Sequence, residues 1–160
     1  MTIEIRPCRP SDGGSLHGIW EAVRHHNARI DPRIVPEEVS RAEFLAGLEA
    51  SLQRPAAAAF VAVEKGELVG FISAALEATQ PDRGGGSHAT IGYVYVDPRM
   101  RRAGVGQGLF EAVKRWARDR GDISHLEMPV LAADEEAAGF WRSIGFSPFI
   151  ERLWAPLSDA

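Results

Sequence analysis

The chain has 160 residues, 45% of them hydrophobic and 25% charged, which fits about one soluble globular domain and excludes a disordered or fibrous protein. Its 18 Lys and Arg against 22 Asp and Glu leave a net charge of -4, so a general nucleic-acid binder is not expected, although a local basic cluster could hold phosphate. The lone Cys8 cannot form an internal disulfide, the opening MTIEIRPCRPSDGG lacks an apolar leader core, and no run approaches the roughly 18 apolar residues of a membrane span. The expectation is a cytoplasmic protein with no membrane partner.

In chain order, Thr2 to Arg6 read as a short strand ended by Pro7 and Pro10. Ser11, Asp12 and Gly13-Gly14 read as a turn into a helix whose apolar stripe (Leu16, Ile19, Trp20, Val23) fades near Asn27. Asp31-Pro32 and Val35-Pro36 interrupt the chain. A second helix follows, with Glu37 and Glu38 in its first turn and Phe44, Leu45, Leu48 and Leu52 on one face. Ala58 to Val63 and Leu68 to Leu76 form two strands joined by the turn Glu64-Lys65-Gly66-Glu67. Gln80 to Ser87 is a polar, glycine-rich loop with no reason of its own to be ordered. Ile91 to Val96 is a strand stopped by Asp97-Pro98, and an amphipathic helix carrying Leu109, Val113, Trp116 and Ala117 begins after Gly108 and stops near Gly121. His125 to Val130 is a strand, Asp134 to Ser143 a helix and Phe146 to Leu153 a final strand region. The order β-α-α-β-β-β-α-β-α-β predicts a mixed α/β domain. Tyr93 and Tyr95, in phase with Ile91, are expected in the core, as are Trp20, Trp116 and Trp154 as core or interface residues.

The run Arg101-Arg102-Ala103-Gly104-Val105-Gly106-Gln107-Gly108 lies between a predicted strand and a predicted helix. Glycines allow a tight turn that aims successive N–H groups at one anion, and a helix start adds free N–H groups and a positive dipole end. The arginines supply charge and a fork that suits phosphate oxygens. A nucleotide-triphosphate loop needs Gly-Lys-Ser/Thr, which is absent, and a dinucleotide fingerprint needs its third glycine where Leu109 stands. A coenzyme A pyrophosphate cradle and a plain glycine-rich turn with surface arginines remain open.

Arg101-x-x-Gly104-x-Gly106 after Val94-Tyr95-Val96-Asp97-Pro98, followed by Asp134-x-x-Ala137-x-x-Phe140-Trp141-x-x-x-Gly145-Phe146, resembles the two signature blocks of the GNAT family of N-acetyltransferases. The specific resemblance spans Ile91 to Phe146; the N-terminal half matches in its order of elements. It implies one acyl-CoA N-acyltransferase domain over residues 1–160, with a mostly antiparallel sheet flanked by helices and splayed central strands. Acetyl-CoA would be the cosubstrate, with no metal, and the acetyl group would pass directly to a primary amine of a small molecule or peptide. Protein N-terminal or lysine acetylation, or a non-catalytic acyl-CoA-binding module, are the alternatives, and a homodimer is expected from the relatives.

Carried over by position, the backbone of Val94, Tyr95 and Val96 would pair with the pantetheine arm. Arg102, Ala103, Gly104, Val105, Gly106 and Gln107 would hold the pyrophosphate, with Arg101 leading the turn. Pro129 in the following strand agrees with a splay, since proline cannot donate a ladder bond; a strand end explains it equally. Asp134 replaces the usual Asn and would accept from a pantetheine N–H and cap its helix. Trp141 stands where many relatives carry a Tyr that protonates the leaving thiolate; an indole could touch the pantetheine but not serve as that acid. The catalytic candidates are Tyr95, near which a backbone N–H would meet the oxyanion, and Glu127 as base. His88, Tyr93, His25, His26 or a water relay are alternatives for the base. Cys8 reads as a small structural residue.

Overall fold

The computed structural model describes residues 2–158. Strands β1 (Ile3–Pro7), β2 (Ala57–Glu64), β3 (Glu67–Ala78), β4 (Ser87–Val96) and β5 (Ile123–Glu127) form one sheet in the order of the chain. The first four pair antiparallel; β4 and β5 pair parallel. The β2–β3 turn needs only Lys65 and Gly66, both at positive φ (48° and 83°), as a two-residue hairpin requires. Helices α1 (Gly13–Ile30) and α2 (Arg41–Leu52) cover one face, meeting it through Cys8, Leu16 and Val61 with Phe44 and Leu48. Helix α3 (Val105–Arg118) covers the other, setting Val105, Leu109 and Val113 on Ile72 and Ile91, and α4 (Glu135–Ser143) completes that core.

Several boundaries differ from the sequence reading, each for a physical reason. Helix α1 runs on to Ile30, and its first two residues are Gly13 and Gly14. A Cβ on Gly13 would lie 2.5 Å from a Leu45 methyl, so that glycine serves helix contact rather than a turn. Helix α2 starts past Glu37 and Glu38, because Ser40 and Glu43 form a reciprocal capping box. Helix α3 starts at Val105 and takes in Gly106 and Gly108. Strand β5 spans Ile123–Glu127, leaving Met128, Pro129 and Val130 outside it. No strand forms between Phe146 and Leu153, and Trp154, expected in the core or an interface, is 63% exposed and so lies outside the core. The Gln80–Ser87 loop has a defined shape: a helical turn at Pro81–Arg83, then three glycines at positive φ.

The register of β4 also changes the fate of its tyrosines. Ile72 faces Val94 and Ala74 faces Ile91, so Gly92 and Tyr93 together oppose Ser73 in a β-bulge. One extra residue reverses the side-chain alternation. Ile91 therefore lies in the α3 core while Tyr93, 41% exposed, turns to the α1 face.

Candidate active site

The site starts where the sheet stops being continuous. Pairing between β4 and β5 ends at Thr90–Glu127, so Ile91 to Val96 have a partner on the β3 side only. Asp97 N–H donates to the Val69 carbonyl at 2.9 Å, and Tyr93 N–H donates to Ser73 Oγ at 3.0 Å, both toward β3. Alternation along the strand then turns the N–H groups of Val94 and Val96 outward, into the slot left by β5, and that of Tyr95 inward. Of the three residues expected along this strand, Val94 and Val96 present donors to the slot. The Tyr95 phenol has its pKa raised by burial and by nearby Asp97.

At the end of β4 the Asp97 carboxylate accepts from Arg99 N–H at 2.8 Å and turns the chain through Pro98. Arg102 at φ 63° and Gly104 at φ 79° are both left-handed, a backbone shape that gathers N–H groups into a concavity. The first helical bond of α3 is Gly108 N–H to the Gly104 carbonyl at 2.9 Å, which leaves the N–H groups of Val105, Gly106 and Gln107 ahead of the ladder. Ala103 is the exception in the expected set, since its N–H donates to the Met100 carbonyl at 3.3 Å. Gly106 has a second duty: a Cβ there would lie 3.0 Å from the Phe140 ring. Arg101 pairs with Glu136 at 2.8 Å, joining this corner to α4 across an exposed surface. These donors fit a pyrophosphate and the unpaired edge of β4 fits an amide-bearing arm, the two parts of a coenzyme A ester.

Asp134 caps α4, accepting from Ala137 N–H at 3.0 Å, and its other oxygen is 3.6 Å from His26 Nε2 of α1. Trp141 is 2% exposed and enclosed by Phe110, Phe140 and Phe146, so the structure places it in the core rather than on the slot. Glu127 lies at the closed end of the slot. His125 Nε2 bonds its carboxylate at 2.9 Å and His88 Nε2 is 3.7 Å away; the His125 bond, opposed by desolvation, holds the carboxyl below its usual range. Thr79 Oγ1 fixes His88 Nδ1 at 2.8 Å, and Ser124 Oγ fixes His125 Nδ1 at 2.7 Å. The sequence reading missed this cluster as a unit, because only His125-x-Glu127 is local. His88, His125 and Glu127 bring ligand atoms within 4.8 Å of one another and are the described residues that could hold a metal.

Two clefts flank the sheet. One of about 450 Å³ opens by Cys8, Leu52, Phe60 and Trp116. Its thiol is pushed up to about 11, by burial first and then by Asp12, so it is no nucleophile at neutral pH. The second, about 270 Å³, has Tyr93 of the bulge in its lining, together with Trp20 and Arg24 of α1 and Ile34 to Glu37. Tyr93, which directly precedes Val94, ties this cleft to the strand that borders the slot.

Comparison with known structures agrees with this fold. The BH1408 protein of Bacillus halodurans, as a tetramutant, superposes with a TM-score of 0.84 at 19% identity, covering 96% of this chain and 99% of its own. Glucosamine-6-phosphate N-acetyltransferase of Arabidopsis thaliana gives 0.68 at 18%, covering 99% and 100%. Aminoglycoside 6'-N-acetyltransferase of Acinetobacter baumannii gives 0.69 at 14%, with the same coverage. At these identities the likeness speaks for the fold alone. No curated protein sequence matches the chain. The model of the acetyltransferase (GNAT) family matches residues 20–146, and with most of the chain under that match, the protein belongs to the GNAT acetyltransferase family.

Proposed function

We propose that the protein moves an acetyl group from acetyl-CoA directly to a primary amine of a small molecule or peptide. One observation carries this reading: β4 loses its β5 partner after Thr90, and the freed Val94 and Val96 N–H groups open beside the donor-rich start of α3. A thioester arm laid along β4 takes up those two donors, while Arg102 and Gly104 to Gln107 hold the pyrophosphate and Arg101 turns from Glu136 to add charge. The acetyl carbonyl then lies by the bulge, with Val94 N–H aimed at the oxygen that becomes negative when the amine adds. This moves the oxyanion donor from Tyr95, as the sequence suggested, to its neighbour.

The new C–N bond forms at the carbonyl carbon, the C–S bond breaks, and the thiolate departs to take a proton from water. A thiol is acidic enough for this without a side-chain acid. Glu127, ionised at neutral pH and oriented by the Nε2–H of His125 that donates to it, attracts the incoming ammonium and passes its proton on to water before the amine adds.

The test is twofold. Acetyl-CoA is expected to raise the melting temperature, and thiol release with an amine panel is expected to fall by about 10²-fold or more in Glu127→Gln. No thermal shift removes the cosubstrate assignment. A shift without turnover on any amine favours the non-catalytic acyl-CoA-binding alternative.

A further inference from the structure

Three large apolar side chains stand in solvent together around the cleft beside the bulge: Tyr93 at 41% exposure, Ile34 at 38% and Val35 at 82%. Trp20 and Pro36 continue the same wall. Leaving such surface wet forgoes the hydrophobic gain that a ligand covering it would bring. Only two charged side chains line the cleft, Arg24 and Glu37, and they are opposite in sign. The Arg24 guanidinium lies 4.1 Å over the Trp20 ring and donates to the Glu37 carbonyl, so its charge is fixed in the wall. On the same face of the sheet, Glu127 supplies an anion, with His88 and His125 beside it. The cleft, at about 270 Å³, falls just below the range of about 300–1,000 Å³ usual for small-molecule pockets, enough for a single ring.

Resting on the transferase reading above, we infer that the acceptor is a small monoamine carried on an aromatic or branched aliphatic body. Its ammonium is drawn to Glu127 and its body covers Tyr93, Trp20, Ile34 and Val35. A polyamine sugar would set further ammonium groups against Arg24 and hydroxyls against an apolar wall that cannot pair them. A sugar phosphate would meet one arginine balanced by Glu37.

The experiment compares kcat/KM for 2-phenylethylamine, isoamylamine, ethanolamine, kanamycin, glucosamine-6-phosphate and an Ala-Gly peptide, all with acetyl-CoA. The two apolar amines are expected to exceed ethanolamine by at least about tenfold, since each apolar group buried in a pocket is worth about that factor. Val35→Asp, at an exposed loop position that folding does not need, is expected to remove most of this advantage and leave the acetyl-CoA KM unchanged. Preference for kanamycin, the sugar phosphate or the peptide overturns the inference, as does an advantage untouched by Val35→Asp. If acetyl-CoA binds but nothing turns over, calorimetry decides in its place. Tighter binding of 2-phenylethylamine than ethanolamine to the CoA-loaded protein, lost in Val35→Asp, upholds the acceptor class even though the transferase reading fails; equal binding overturns it.

Discussion

Asp12 shows how one side chain can hold a junction. It is 7% exposed and accepts from Arg6 at 2.8 and 2.9 Å and from Arg9 N–H at 2.8 Å, clamping the end of β1 to the turn that opens α1. The Arg6 bond, ahead of opposing desolvation, holds its pKa below the ordinary 3.8. A carboxylate depressed on folding stabilises fully above its unfolded value, and that share is lost as pH falls through the folded one. Asp12→Asn is therefore expected to cost about 2–3 kcal/mol at pH 7, with the gap to the parent closing below the ordinary aspartate range; urea unfolding at pH 7 and pH 3 measures both. This pair was not legible in the sequence, where Arg6 and Asp12 belong to different predicted elements. Trp141 is the opposite case. Its alignment with a catalytic tyrosine was plain in the sequence, yet its enclosure by three phenylalanines depends on packing among α3, α4 and the segment after it. Gly104 was read correctly as a turn residue, because a left-handed helix start is a local matter.

Among elements, the strands that alternate β-branched and aromatic residues were readable, and so was the hairpin at Lys65-Gly66. The start of α2 is legible too in Ser40-x-x-Glu43, a stronger signal than the preceding acidic pair. Ser40 Oγ accepts from Glu43 N–H at 3.2 Å, while the Glu43 carboxylate accepts from Ser40 N–H at 2.8 Å. Ser40→Ala is expected to destabilise the fold by about 1 kcal/mol, seen as a lower urea midpoint at unchanged slope. The start of α3 is masked in the sequence because glycine counts against a helix, while the backbone at 106 and 108 packs closely on Phe140 and Ile5. The bulge of β4 was invisible for a deeper reason: it exists only in the register with β3, and that register sets which way Tyr93 faces.

At the scale of the whole molecule, surface area raises the matter of assembly. A folded monomer of 17.4 kDa is expected to expose about 7,900 Å², whereas the described chain exposes 10561 Å². Part of that excess is apolar and lies in one stretch, where Phe149, Ile150, Leu153, Trp154 and Leu157 are all exposed. We expect a second copy of the chain to cover this stretch, since five large apolar side chains left together in solvent mark an interaction surface. Light scattering should then give twice the chain mass, and the double change Leu153→Asp, Trp154→Ser should halve it; a parent that elutes as a monomer refutes the expectation.

The early parting of β4 from β5 has a consequence for the order of events. A strand with one side unpaired is a partly folded object, and in the proposed reading the arm of the cosubstrate would supply the missing rungs. On the proposed transferase reading, acetyl-CoA binding would be akin to the last step of folding, and the acceptor would enter a cleft whose floor is made firm only then. In hydrogen–deuterium exchange, the amides of Val94 and Val96 should be quick in the free protein and slow by at least about tenfold when acetyl-CoA is added, while Tyr95, already turned to β3, stays slow in both. Steady-state kinetics should accordingly show acetyl-CoA binding before the amine; random entry, with equal exchange at all three amides, would mean that the strand is firm from the outset.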